Sequence, residues 1–174
     1  AGNGIVDPLT PVLTTTSGVA AVTSWTLGAT AGTDTLTATT SPVLTGSPVR
    51  FTATATVGAP ATMEKTSGDN LTGQVGSTLG TPHEVTVRDA NGNPVAGVSV
   101  TWAVPLGTGS VNPTGSTTDI NGKATTTRTL GLTPGTQTTT ATANLTGGGG
   151  STTVTFSVNA TVGGATQMTI NGGN

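Results

Sequence analysis

The sequence predicts an all-β fold built from antiparallel β-sandwich modules, and three observations predict it. Apolar side chains alternate with polar ones in several stretches. Turn-forming pairs such as Asn91-Gly92, Asn121-Gly122 and Pro134-Gly135 separate those stretches, at spacings of about ten residues. The chain also repeats itself with a period near 104, the size of one sandwich module.

The alternation is clearest in four places. Val49, Phe51, Ala53, Ala55 and Val57 alternate with Arg50 and three threonines; Val85 and Val87 alternate with Glu84, Thr86 and Arg88. Val98, Val100, Trp102 and Val104 follow the same rule, as do Val154, Phe156, Val158, Ala160 and Val162. Period-two patterning of this length means a strand with one buried face and one wet face. No segment shows a 3.6-residue apolar period. Trp102, Phe156, Val85, Val87, Val98, Val100 and Leu130 are the expected large core side chains. With so few aromatic residues the core has to lean on Val, Ala and threonine methyls.

The repeat sets the expected domain limits. Thr26-Leu27-Gly28 returns as Thr129-Leu130-Gly131, an offset of 103, and Val49-Arg50-Phe51 returns as Val154-Thr155-Phe156, an offset of 105. Gly68-Asp69-Asn70 returns as Gly172-Gly173-Asn174. Residues 1–60 therefore match only the later part of a module, 61–162 make one complete module, and 163–174 match the first strand of the next. A sandwich lacking its first strands leaves Trp25 and Phe51 half-exposed and is not expected to be stable alone. Either the chain is a window on a longer array, or a neighbouring chain supplies the missing strands.

Composition narrows the function classes. The 174 residues include 7% charged and 2% aromatic side chains, with no Cys and no Tyr, and threonine fills roughly a quarter of the positions. Threonine is β-branched and favours extended backbone. A net charge of −2 provides no basic surface for phosphates, which argues against nucleic acid as a partner. No apolar run approaches the roughly 20 residues that span a bilayer, so membrane insertion of this segment is not expected. Absent cysteine removes disulfides and thiolate metal sites. Lys65 and Lys123 are the only lysines available to protect strand edges.

The stretch from Val85 to Trp102, with its Asp89-Ala90-Asn91-Gly92-Asn93-Pro94-Val95-Ala96-Gly97-Val98 hairpin, resembles the bacterial immunoglobulin-like domains of the invasin and intimin type. So do Thr118-Asp119-Ile120-Asn121-Gly122-Lys123-Ala124, Thr129-Leu130-Gly131 and Gly135-Thr136-Gln137. The resemblance covers about 61–162 and is echoed in 1–60. It implies an immunoglobulin-like sandwich on the cell surface, used in adhesin stalks or fibres. Binding in that family usually sits in other domains, so it implies no ligand site here.

Candidate chemistry is sparse. Asp89 to Asn93 could open a calcium loop, but no late bidentate Glu follows, and the stretch reads as a tight hairpin with Asn-Gly at positive φ. Asp119-Ile120-Asn121-Gly122 reads the same way. His83, the single histidine, reads as a strand-end surface residue, with no partner spacing for catalysis or metal binding. Glu64 and Glu84 form no evident acid–base pair. Trp102 is in phase with Val98 and Val100 and reads as core. Trp25 aligns with Arg128, which points to a solvent-side or interdomain position. A Lys–Asn crosslink through Lys65 or Lys123 is disfavoured because neither lysine recurs between the copies. Asn70-Leu71-Thr72, Asn144-Leu145-Thr146 and Asn159-Ala160-Thr161 are N-linked sequons, so Asn70, Asn144 and Asn159 are the candidate modification sites.

No catalytic residues, metal ligands or cofactor emerge, and an enzyme is not expected. The leading expectation is a segment of an extracellular or cell-surface protein made of tandem modules, a stiff stalk supporting adhesion. Its partners are then neighbouring repeats or identical subunits in a fibre. Two alternatives remain: a filament subunit completed by strand donation, with 165–174 as donor, and a carbohydrate-binding module using Trp25 and outward threonines.

Overall fold

The computed structural model describes residues 4–164 and Gly172, so most of the expected further strand over 163–174 lies outside the described residues. The chain divides into two compact units, one of Ala1–Gly58 with Ala90–Asn93, the other of Ala59–Asp89 with Pro94–Asn174. Every described regular element is a strand.

The first unit holds β1 (Ile5–Asp7), β2 (Ser24–Thr26), β3 (Gly32–Ala38) and β4 (Val49–Ala55). They form two antiparallel ribbons: β1 with β2, where Val6 faces Trp25, and β3 with β4, where Leu36 faces Phe51. An isolated two-stranded ribbon is marginal in water, because one of its faces has nothing to cover it.

The second unit holds β5 (Pro60–Ser67), β6 (Leu71–Gln74), β7 (His83–Asp89), β8 (Ser99–Ala103), β9 (Gly109–Asn112), β10 (Gly115–Thr117), β11 (Lys123–Leu130), β12 (Gly135–Leu145) and β13 (Gly150–Thr161). Two sheets form, in the orders β10-β8-β12-β13-β6 and β5-β7-β11-β9. The expected alternation is present. Val100 and Trp102 point inward from β8 while Ser99, Thr101 and Ala103 point out; Phe156, Val158 and Ala160 point inward from β13. Met63, Val85, Val87, Val100, Trp102, Leu145 and Phe156 belong to one buried cluster, with half-buried Val98 against it, and Leu79, Leu130, Val158 and Ala160 form a second. The Trp102 indole N–H donates to Ser116 Oγ at 2.8 Å, so the largest core side chain leaves no polar atom unpaired.

Two local features differ from expectation. The sandwich is not purely antiparallel: β6 runs parallel to β13, with Val158 opposite Leu71 and Thr161 opposite Gln74. The chain leaves β5 in one sheet and crosses to the edge of the other through Gly68 (φ +85°) and Asn70 (φ +54°). The Asn70 N–H donates to the Ser157 carbonyl at 2.8 Å, and Asp69 Oδ1 accepts from the Ser157 N–H at 2.9 Å. This crossing strap covers an edge that the few lysines could not protect. Secondly, only Gly92 and Gly122 take positive φ in the Asn-Gly turns; Asn91 and Asn121 do not. In the second turn the Asp119 side chain does the work instead: Oδ1 accepts the Asn121 N–H at 2.8 Å and the Lys123 N–H at 2.9 Å. That Asx arrangement holds the bend without a left-handed asparagine.

Candidate functional site

The ribbons β3–β4 and β12–β13 are paired in the same register. Gly32 faces Ala55 and Ala38 faces Val49, while Gly135 faces Ala160 and Ala141 faces Val154, each related by the sequence offsets of 103 and 105. The environment of the two ribbons differs sharply. Thr139 and Phe156, a facing pair in the second unit, are fully buried, and so is Arg128. Their counterparts in the first unit are Leu36, Phe51 and Trp25. Phe51 is 51% exposed, and Leu36 and Trp25 are only partly covered.

These three side chains form the floor of a groove of about 790 Å³ within the first unit, with Val6, Leu9, Val12 and Val22 on its walls. Among the described residues no charged one lines it. The position of Arg128 corrects the expectation for Trp25. Arg128 is an inward residue of β11, in phase with buried Ala124, Thr126 and Leu130. Trp25, at the equivalent place, lies partly covered on the floor of a groove that no described strand closes.

The second unit keeps a polar cluster where the first has its groove. Arg128 Nη1 donates to the Ser110 and Thr129 carbonyls at 3.2 and 2.6 Å; Nη2 donates to the Thr108 carbonyl at 2.5 Å and to Gln137 Oε1 at 3.2 Å. Carbonyl dipoles take the place of a carboxylate, and burial lowers the guanidinium pKa from its ordinary value.

His83 is also a correction: it is fully buried, not a surface residue. It falls in phase with Val85 and Val87 on the inward face of β7 and stacks on Phe156, ring centroids 4.5 Å apart at 24°. Nδ1–H donates to the Gly68 carbonyl at 2.8 Å, which leaves Nε2 deprotonated and without a partner. Burial pushes the His83 pKa below its usual value, and the nearby Arg128 charge adds to that; the Gly68 carbonyl and Asp69 oppose. A buried neutral imidazole with no second titratable partner in hydrogen-bond reach is a packing residue.

The remaining sequence candidates stand apart. Glu84 pairs with Lys123 at 2.9 Å and Glu64 with Arg88 at 3.6 Å. Lys65 pairs with Asp69, donates to the Thr155 carbonyl at 2.9 Å and lies 5.7 Å from the centre of the Phe156 ring. Burial raises the Asp69 carboxyl, but the Lys65 ammonium and the Ser157 amide outweigh it and hold it below the usual range. The Lys123 amide, helped by that of Asn121, likewise holds the Asp119 carboxyl down, so this carboxylate serves its own turn. Among the described residues no group of three or more His, Cys, Asp or Glu is placed to hold a metal. Asn70, Asn144 and Asn159 are all exposed, the first in the strap, the others on outward positions of β12 and β13.

Sequence reasoning missed one contact that recurs with the same geometry at the turn before each ribbon. Gln137 Oε1 accepts the Gly131 N–H at 2.9 Å, and Asp34 Oδ2 accepts the Gly28 N–H at 2.6 Å. Both residues of each pair are related by the offset of 103. The signal was available in the repeat alignment, as a polar inward residue following a Leu-Gly turn by the same interval.

Residues 80–157 match the family model described as Bacterial Ig-like domain (group 1). No curated protein matches the chain. Among solved structures the chain is similar to the D00-D0 domain of Intimin, at 17% identity over 90% of this chain and 78% of that one, with a TM-score of 0.43. It is similar to domains 4 and 5 of the S-layer protein SbsC, at 22% identity over 79% of this chain and 69% of that one, TM-score 0.46. Domains 4-9 of the surface layer protein SbsC give 23% identity over 81% of this chain and 19% of that one, TM-score 0.47. The second unit is a two-sheet β-sandwich, and the residues that match the bacterial immunoglobulin-like family model, 90–93 apart, lie within it.

Proposed function

We propose that this chain is a stretch of a non-catalytic, extracellular or cell-surface stalk built from tandem immunoglobulin-like modules, supporting an adhesive activity held elsewhere. The observation that carries the reading is geometric repetition. Two ribbons share one register and one Gly–side-chain clamp at the spacing of a module. Modules repeated in this way make length, and contact between neighbours makes stiffness. The outward faces suit that role: β12 and β13 present Thr142 bonded to Thr153 at 2.9 Å, with Thr140 opposite Thr155, a hydroxyl surface without charge. Antibody raised against 60–162 labels intact, unpermeabilised cells on this reading. Label appearing only after permeabilisation overturns it.

The exposed sequon residues Asn70, Asn144 and Asn159 we propose as N-glycan sites, the sugar supplying the solubility that charged side chains would otherwise provide. Chain purified from its source then exceeds its 16.7 kDa sequence mass by whole sugar units. A mass equal to the bare chain removes the assignment.

A further inference from the structure

We propose that the second unit is a tension-bearing module, in which a pull along the chain shears β5 over β7 and β6 over β13 instead of peeling them apart.

The chain enters this unit at Ala59, and its last strand ends at Thr161. Between those points β5, the strap and β6 advance in step with β13. The Pro60 carbonyl accepts from the Gly147 N–H at 2.7 Å, just ahead of β13. Further on, the Lys65 ammonium donates to the Thr155 carbonyl at 2.9 Å and the Asn70 N–H to that of Ser157 at 2.8 Å. Leu71 then faces Val158, and Gln74 faces Thr161. Entry and exit therefore stand at opposite ends of β13, whose 12 residues extend about 40 Å. A pull between them runs along the strands.

That direction decides how the ladders fail. Backbone hydrogen bonds lie across an antiparallel pair and slant across a parallel one. Tension along a strand loads all the bonds of its ladder together, whereas tension across the end of a ladder breaks them one after another. Each bond alone contributes little in water, so resistance depends on their acting at once. The parallel sense of β6 and β13 is what puts that ladder in shear. Were the pair antiparallel, the start of β6 would lie beside the end of β13 and the same pull would open it from there.

Two ladders share the tension. β5 is paired with β7 from Pro60 opposite Asp89 to Ser67 opposite Glu84, and β6 with β13 from Leu71 to Gln74. Met63 of β5 lies in the main buried cluster and Leu71 of β6 packs against the second, so sliding either strand drags an apolar side chain through close packing. The strap between the two is anchored by side chains. Asp69 Oδ1 accepts the Ser157 N–H, Asp69 Oδ2 pairs with Lys65, and the Gly68 carbonyl accepts from His83 Nδ1. The use of such a module rests on the stalk reading, but its mechanics are measured apart from it.

The chain has no cysteine, so tethers for single-molecule force measurement attach at chosen residues of the full chain. Ala59→Cys with Val162→Cys applies tension from entry to exit and leaves 1–58 outside the stretched segment. Gln74→Cys with Val162→Cys pulls on one end of the β6–β13 ladder. All three positions are exposed, so the substitutions spare the core. Forced unfolding follows the unfolding rate, and at equal loading rate the first pair is expected to unfold at a force at least about twofold higher than the second. Asp69→Ala is expected to lower the force of the first pair and to leave that of the second unchanged, because Asp69 stands at the end of the ladder that opens last there. Equal forces in the two geometries overturn the proposal, and so does a first-pair force that Asp69→Ala does not lower. Surface labelling of cells tests the stalk assignment alone, and these forces test the module alone.

Discussion

Gln137 grips Gly131 from both sides: its Oε1 accepts the Gly131 N–H at 2.9 Å and its Nε2 donates to the Gly131 carbonyl at 3.3 Å. The same side chain accepts from Arg128 and donates to the Thr133 carbonyl at 2.8 Å. It therefore pins the turn between β11 and β12 and takes one of the hydrogen bonds of the buried Arg128 guanidinium. Gln137→Met keeps the volume and removes all four bonds. Leaving a buried donor unpaired costs about 1–3 kcal/mol, more for a charged one, so the variant is expected to lose at least about 2 kcal/mol. Urea unfolding with an unchanged slope and a lower midpoint is the readout; an unshifted midpoint refutes the role.

His83 links stability to pH. Its folded pKa lies below the ordinary value of 6.5, chiefly because it is buried, while the unfolded imidazole titrates at the ordinary value. Between those two values the unfolded state binds the extra proton. Stability is thus complete above pH 6.5, is lost as pH falls toward the folded pKa, and loses no more through this group below it. The slope cannot exceed about 1.4 kcal/mol per pH unit. Asp69, also lowered, contributes stability that is present above 3.8 and lost below it, a separate and more acidic window. The urea midpoint is expected to drop between pH 7.5 and 5, and His83→Phe to flatten that interval. A flat wild-type profile there contradicts the buried neutral assignment.

Phe51 and Phe156 offer a matched pair of substitutions in one chain. Phe156 is fully buried under His83 and beside Trp102, at 5.9 Å between ring centroids. Truncating a buried Phe to Ala costs about 3–5 kcal/mol. The half-exposed Phe51 has much less to lose, and Phe51→Ala at single-chain concentrations is expected to cost under about 1 kcal/mol. Thermal or urea unfolding measures both, and equal losses would mean that the groove is already covered.

The alternating strands were legible because each inward position carries Val, Phe, Trp or Ala, as in β8 and β13. The polar interior was not. His83 is in phase with Val85 and Val87, but an imidazole at a strand end gives no sign of which way it faces until Phe156 is known to lie beneath it. Arg128 sits in a run of threonines, and threonine occupies both faces of these sheets: Thr126 and Thr139 are buried while Thr125 and Thr127 are exposed. Alternation therefore loses its contrast there. β6 is four residues long, too short for a period, and its parallel pairing follows from the strap that precedes it. The groove was legible in outline, since the repeat already paired Phe51 with Phe156. Its floor was not, because Trp25 aligns with an arginine whose inward direction only the register reveals.

The strap itself supplies a last test. Gly68 has φ +85°, and a Cβ there would stand 2.8 Å from the His83 Cα and closer still to the Pro82 carbonyl oxygen. Gly97 has φ +81° but open space where its Cβ would go. Left-handed backbone costs a residue with a Cβ about 1–2 kcal/mol, which both alanine variants incur. Only Gly68→Ala adds the collision, against backbone that cannot swing aside, and it also disturbs the carbonyl that holds His83 Nδ1. Gly97→Ala is expected to lose about 1–2 kcal/mol, and Gly68→Ala more than twice that loss together with part of the pH dependence assigned to His83. Equal unfolding midpoints for the two variants would show that the strap yields, and that the close approach of Gly68 to His83 contributes nothing to the fold.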